Sequence, residues 1–212
     1  MSERRLGVML SGGGTTLQNL IDRIADGRLP GWRIVLVISS LSTAYGLVRA
    51  QRAGIPTCVI RKKDYPDPDV LGRAVVERLD AARVDLVALA GWMCYWRLPD
   101  RYLGRVMNVH PALLPSFGGQ GFYGHRVHEA VLARGCKVTG ATVHFVDNEY
   151  DTGPIILQRA VEVRQDDTPD SLAERVQEAE REIYPEAIAL FGQGRLRIEG
   201  RRVRILPAGS RC

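Results

Sequence analysis

Long apolar runs are missing from this sequence: no stretch approaches the roughly eighteen apolar residues that a membrane-spanning helix needs. Cysteine is scarce. Cys58, Cys94, Cys136 and Cys212 stand far apart and form no C-x-x-C pair, so neither a zinc site nor a disulfide framework is implied. There is no Gly-Lys-Ser/Thr of a Walker A loop, no internal repeat, no low-complexity tract and no obvious linker. A nucleophilic serine or cysteine motif is also lacking, which removes the case for a covalent acyl-enzyme. Met1-Ser-Glu-Arg-Arg leads straight into an apolar strand without a signal-like apolar core, so a cytoplasmic location is expected.

What is present suits one large α/β domain or two packed halves: 212 residues, 45% hydrophobic and 25% charged. The net charge of +5 gathers at Arg61-Lys62-Lys63 and at Arg195, Arg197, Arg201, Arg202, Arg204 and Arg211. A solvated face is the first reading of that excess and a small polyanionic substrate the second. Nucleic acid comes last, because no aromatic residues interleave with the basic ones. No nucleic-acid or membrane partner is expected, and the assembly is expected to be a monomer or homodimer. His125 and His128 stand three apart. They read as metal ligands or as surface or substrate-edge histidines at a helix start, and the second is preferred because no third ligand suggests itself; no metal is expected.

The first half alternates strands and helices. Leu6–Leu10, Arg33–Ile38, Thr57–Ile60, Leu86–Ala90 and Val106–His110 read as strands, with helical spacing after Gly14, over 44–53 and over 70–82. That order predicts an α/β fold with a mostly parallel, twisted sheet and a Rossmann-like first half, and ligands sit at the carboxyl ends of such strands. In the second half, 138–146 and 155–163 read as a paired, antiparallel set. A last helix starts at Thr168-Pro169 and runs to Phe191, with a kink expected at Pro185. One short strand is expected beyond Gly200. The whole is expected to be one domain over 1–212, with halves of 1–100 and 101–212.

The loop Ser11-Gly-Gly-Gly-Thr-Thr16 follows a strand and opens a helix, so it offers unpaired amides and the positive end of a helix dipole. A dinucleotide fingerprint needs glycine where Leu17 stands and an acid where Ser39 and Ser40 stand, which disfavours NAD. A monophosphate on Gly14, Thr15 and Thr16 remains, beside a glycine turn that binds nothing.

Asn108 and His110 lie two apart on a strand end, so both side chains share one direction. An amide donor beside an imidazole suits the oxyanion of acyl transfer. Asp151 precedes Thr-Gly-Pro and is either a turn former or the partner of His110, raising its pKa and fixing its orientation.

Taken together, SGGGTTLQNL, GWM, NVHPALLPSF, GATVHFVDNEYDTGPIILQ and EREIYPEAI resemble the phosphoribosylglycinamide formyltransferase family over nearly the whole chain. The resemblance implies a nucleotide-binding half followed by a smaller folate-binding half. It implies transfer of the formyl group of 10-formyltetrahydrofolate, a co-substrate, to the amine of 5-phosphoribosylglycinamide (GAR) in purine synthesis, by direct amine attack. It places the catalytic trio on Asn108, His110 (protonated) and Asp151, the phosphate on Gly14, Thr15 and Thr16, and the ribose on Glu180. The folate would meet Met93, Cys94, Tyr95, Trp96, Asn108, His144, Val146, Asp147 and Asp151. Trp92, Tyr95 and Trp96 are bulkier than the family's usual residues there, and Gly118–Gly124 reads as a longer, mobile loop. The alternatives are a formyl-folate enzyme with another acceptor (water, an amino sugar or aminoacyl-tRNA) and a non-catalytic nucleotide-binding module.

Overall fold

The computed structural model describes residues 3–209, so Arg211 and Cys212 lie outside it. Its described residues form two compact units, one ending at Met107 and the other beginning at Asn108.

The first unit is built on parallel pairing. β1 (Arg4–Leu10) lies between β2 (Trp32–Ser39) and β4 (Leu86–Leu89), and β3 (Thr57–Val59) borders β2. Leu6, Val8, Met9 and Leu10 of β1 are fully buried, as are Val37 and Ile38 of β2 and Leu86 to Ala88 of β4. Near-continuous apolar runs of this kind are what a parallel strand covered on both faces requires. The helices are α1 (Thr15–Ala25), α2 (Tyr45–Arg52) and α3 (Pro68–Ala81). Asp67 caps α3 by accepting from the Asp69 amide, and Pro68 opens it.

β5 (Val106–His110) carries the chain into the second unit, where the strand order is β5-β6-β7-β9-β8. β6 (Val138–Phe145) and β7 (Ile155–Glu162) pair antiparallel, as their alternation predicts. α4 (His125–Ala133) follows the glycine-rich loop, and α5 (Pro169–Gly192) starts at a Thr168/Ser171 capping box. Pro185 lies inside α5, buried, and the helix continues through it as one element. The tail holds the strand expected beyond Gly200 and one more before it. The two, β8 (Leu196–Glu199) and β9 (Arg202–Ile205), pair antiparallel around Gly200. β8 escaped the sequence reading because its Leu-Arg-Ile-Glu is too short and charged to stand out from the basic tail.

His128 shows the cost of burial for a titratable group. Read from the sequence as a surface or substrate-edge histidine, it is instead packed inside, 3% exposed, with no hydrogen-bond partner for Nδ1. Burial first, then the charges of His125 and His110, push its pKa down to about 4. An unfolded histidine titrates near 6.5, so between about pH 6.5 and 4 the unfolded chain binds the extra proton. The stabilisation is therefore complete above about 6.5 and is lost as pH falls toward 4, amounting to about 3 kcal/mol. Denaturant titrations at pH 7 and pH 4 should show that loss, and a His128→Phe chain should show much less of it. An equal loss in both chains would contradict the assignment.

Candidate active site

Four of the singled-out side chains meet in the second unit. Asn108 and His110 stand on the last residues of β5, His144 near the end of β6, and Asp151 in the turn before β7. A register shift between Val143 and His144 sets the histidine's position against β7, a usual effect of a strand irregularity beside a site.

Asp151 is the hub. Its Oδ2 accepts from the Gly119 amide at 3.0 Å and lies 3.6 Å from His110 Nδ1. Its Oδ1 lies 3.5 Å from Asn108 Nδ2 and 3.6 Å from His144 Nε2. Asn108 Nδ2 also lies 3.3 Å from His144 Nε2. The remaining ring nitrogens are committed to carbonyls: His110 Nε2–H donates to Phe117 O at 2.7 Å and His144 Nδ1–H to Phe145 O at 2.8 Å. Asp151 itself takes the left-handed backbone conformation, φ 56°, which Asp and Asn tolerate better than most residues.

The electrostatics partly overturn the expectation for His110. Asp151 does act to raise its pKa, but burial acts more strongly in the opposite direction, and the net displacement is downward. Neutral imidazole is therefore favoured at neutral pH, not the protonated form expected from the family resemblance. For Asp151, burial pushes upward, yet His144, His110 and the Gly119 amide together outweigh it and hold the carboxyl below its ordinary value. The site thus keeps a carboxylate, a largely neutral histidine and a two-hydrogen amide donor within one small space.

The loop from Pro111 to Gly119 is pinned from below. Thr142 Oγ1 donates to Ala112 O at 2.7 Å and accepts from the Leu114 amide, while Gln158 donates to Leu114 O and to Thr142 Oγ1. Gly153 admits no side chain, since a Cβ there would stand 1.8 Å from Phe145 O. Gly153→Ala should lower stability by about 3 kcal/mol, since overpacking forces the backbone to shift. Unchanged denaturant midpoints would refute this.

In the first unit, the glycine loop has the form the sequence indicates. Gly14 caps α1 with φ 71° and brings no side-chain cap hydrogen bond to the first turn of the helix. Gly12, Gly13 and Thr15 are exposed. Ser11 Oγ receives the Ser40 hydroxyl at 2.6 Å and the Met93 amide at 2.9 Å, tying the loop to the segment after β4. In that segment Met93 is exposed, Cys94 and Tyr95 are half-buried and Trp96 is buried. Trp92 Nε1 is buried without a hydrogen-bond partner.

Other expected residues stand apart from the four-residue network. Val146 is half-buried, and Asp147 accepts from Thr152 Oγ1 and the Glu149 amide, shaping its own loop. Glu180 sits half-buried on α5, and loss of water pushes its carboxyl up to about 7 against the opposing pull of Arg181. Sequence reasoning missed Gly119 and Phe117 as partners. The Gly118-Gly119 pair was a signal of backbone approach, whereas nothing marked the Phe117 carbonyl. Among the described residues no group of three or more His, Cys, Asp and Glu is arranged to hold a metal ion, and no helix is long and apolar enough to cross a membrane.

Residues 4–188 match the family described as formyl transferase. The trifunctional purine biosynthetic protein adenosine-3 of Bos taurus is 42% identical over 196 residues, covering 92% of this chain and 19% of that protein. The phosphoribosylglycinamide formyltransferase of Haemophilus influenzae is 37% identical over 198 residues, covering 92% of this chain and 91% of the relative. The crystal structure of glycinamide ribonucleotide transformylase 1 from Symbiobacterium toebii aligns at a TM-score of 0.88 and 46% identity, over 96% of this chain and 94% of that one. The chain thus spans 19% or less of the trifunctional relatives from Bos taurus and Drosophila melanogaster that it matches.

Proposed function

This chain belongs to the formyl transferase family, and from that premise we propose that it transfers the formyl group of 10-formyltetrahydrofolate to the amine of GAR. The products are formyl-GAR and tetrahydrofolate, a step toward IMP in de novo purine synthesis. The reaction takes place in the cytoplasm between two small molecules, with neither nucleic acid nor a membrane as partner, in a monomer or homodimer. The observation that carries this reading is the convergence of Asn108, His110, His144 and Asp151 within a few ångströms of one another.

The chemistry follows from those groups. The GAR amine attacks the formyl carbon, a new N–C bond forms, and the carbonyl oxygen becomes an oxyanion. Asn108 Nδ2–H donates to it, and His110 joins when the formyl oxygen takes the place of Phe117 O as its acceptor. Preorganised donors of this kind stabilise charge where it develops. The ammonium proton leaves toward the Asp151 carboxylate through water. It returns to N10 of the folate as the N10–C bond breaks, so the Asp ends as it began. Gly14, Thr15 and Thr16 take the phosphate and Glu180 the ribose. Met93, Cys94, Tyr95, Trp96, His144, Val146 and Asp147 take the pterin side.

The test is tetrahydrofolate release from 10-formyltetrahydrofolate by purified protein, with and without GAR. Release that requires GAR is the expected result. Release without it would make the protein a hydrolase, and no release under either condition would remove the proposal.

A further inference from the structure

Arg49 of α2 is a basic group at the glycine loop that lies outside the segments carrying the family resemblance. Its Nε donates to Gly13 O at 2.9 Å and its Nη1 to Gln18 Oε1 at 3.1 Å, while the Tyr45 ring lies 5.1 Å from its guanidinium carbon. Its stem packs beside the turn itself: a Cβ on Gly14 would stand 3.5 Å from Arg49 Cδ and 2.6 Å from Gly46 Cα. The guanidinium is thus held by two hydrogen bonds and a ring. An arginine has five N–H donors, and these bonds use two of them. Other arginines sit against carboxylates: Arg28 on Asp26, Arg61 on Asp64, Arg101 on Asp80 and Arg175 on Asp167. Arg49 takes no carboxylate partner among the described residues. A fixed, unneutralised cation with spare donors therefore stands against the loop at the open amide end of α1.

We propose that Arg49 is a phosphate-positioning residue, which braces the Gly13–Gly14 turn and adds its charge to the helix-end field, so that the loop selects a phosphate monoester over its neutral counterpart. The inference rests on the reading of this loop as the GAR phosphate site. A dianion gains from both parts of the arrangement, the preset amides and the held guanidinium, whereas a neutral hydroxyl gains little from either. A structural brace alone would serve every acceptor equally, and that difference makes the idea testable.

The experiment compares GAR with its dephosphorylated riboside as acceptors, in the parent enzyme, Arg49→Met and Arg49→Lys. The parent should strongly prefer GAR. Arg49→Met should raise KM for GAR by on the order of 10–100-fold, the usual worth of a charged hydrogen-bond partner, with kcat within about threefold. Its kcat/KM for the riboside should stay within about twofold of the parent's, and Arg49→Lys, which keeps charge but not the fork, should recover part of the KM for GAR. Equal losses with both acceptors, or an unchanged KM for GAR, would overturn the proposal. If Arg49→Met fails to fold, the lysine variant decides it alone, with a smaller rise in KM confined to GAR expected and a uniform loss overturning it. A parent with no preference for GAR would instead remove the loop reading itself.

Discussion

Asn108→Ala should lower kcat by on the order of 10²–10³ while leaving KM for GAR within a few-fold of the parent value, the pattern of a donor used in the transition state. The geometry explains why the effect falls on kcat. Both contacts of Nδ2, at 3.3 Å to His144 and 3.5 Å to Asp151, are long for hydrogen bonds. The amide is therefore held in direction but weakly committed, and a developing oxyanion can take it at little cost. Contacts of this kind commonly tighten only with substrate bound. His110→Ala should lose a similar factor, and the double variant should lose less than the product of the two, because both donors serve one oxygen. Steady-state kinetics with saturating 10-formyltetrahydrofolate would measure this. An Asn108→Ala enzyme within tenfold of the parent would remove Asn108 from the oxyanion site.

Much of this arrangement is legible in the sequence, and the reasons differ from residue to residue. The parallel first unit could be read because apolar strands such as Arg33-Ile-Val-Leu-Val-Ile38 are buried on both faces and so show uninterrupted hydrophobicity. Asn108 and His110 could be placed together because strand periodicity puts residues two apart on one side. Their approach to Asp151 could not be read, since it lies 41 positions after His110 and that contact depends on how β6 and β7 return the chain. The balance of forces on His110 was also hidden. A neighbouring carboxylate is visible in a sequence as a candidate, whereas the depth of burial that outweighs it is a property of packing. The Gly119 amide and the Phe117 carbonyl are main-chain groups, which any residue type supplies, so composition cannot announce them. Arg49 is hidden in the sequence for a related reason: an arginine on an amphipathic helix reads as a solvated charge until its two acceptors are known.

Asp151→Asn should be the most informative single change in the site. Asparagine matches the shape and accepts the left-handed backbone that Asp151 occupies at φ 56°, so the turn before β7 should persist and near-native folding is expected. What is lost is the negative charge and the ability to take a proton. Loss of a general acid–base group costs on the order of 10²–10⁴ in rate, and kcat should fall within that range. The acid side of the parent's pH profile carries a second sign. Because the Asp151 carboxyl is held below its ordinary value, activity that depends on its charge should survive into acid below the usual carboxylate range, and the variant should lack that limb. A third readout lies in His110. Asp151 is the main influence raising its pKa against burial, so removing the charge should displace the imidazole titration further downward, as followed by NMR of the ring nitrogens. A pair at 3.6 Å should make that displacement easy to see. If the His110 titration stayed where the parent has it, the two side chains would not be electrostatically coupled. If kcat also held within tenfold, proton transfer would have to be assigned to a different group, and Asp151 would be left as a turn residue bonded to the Gly119 amide.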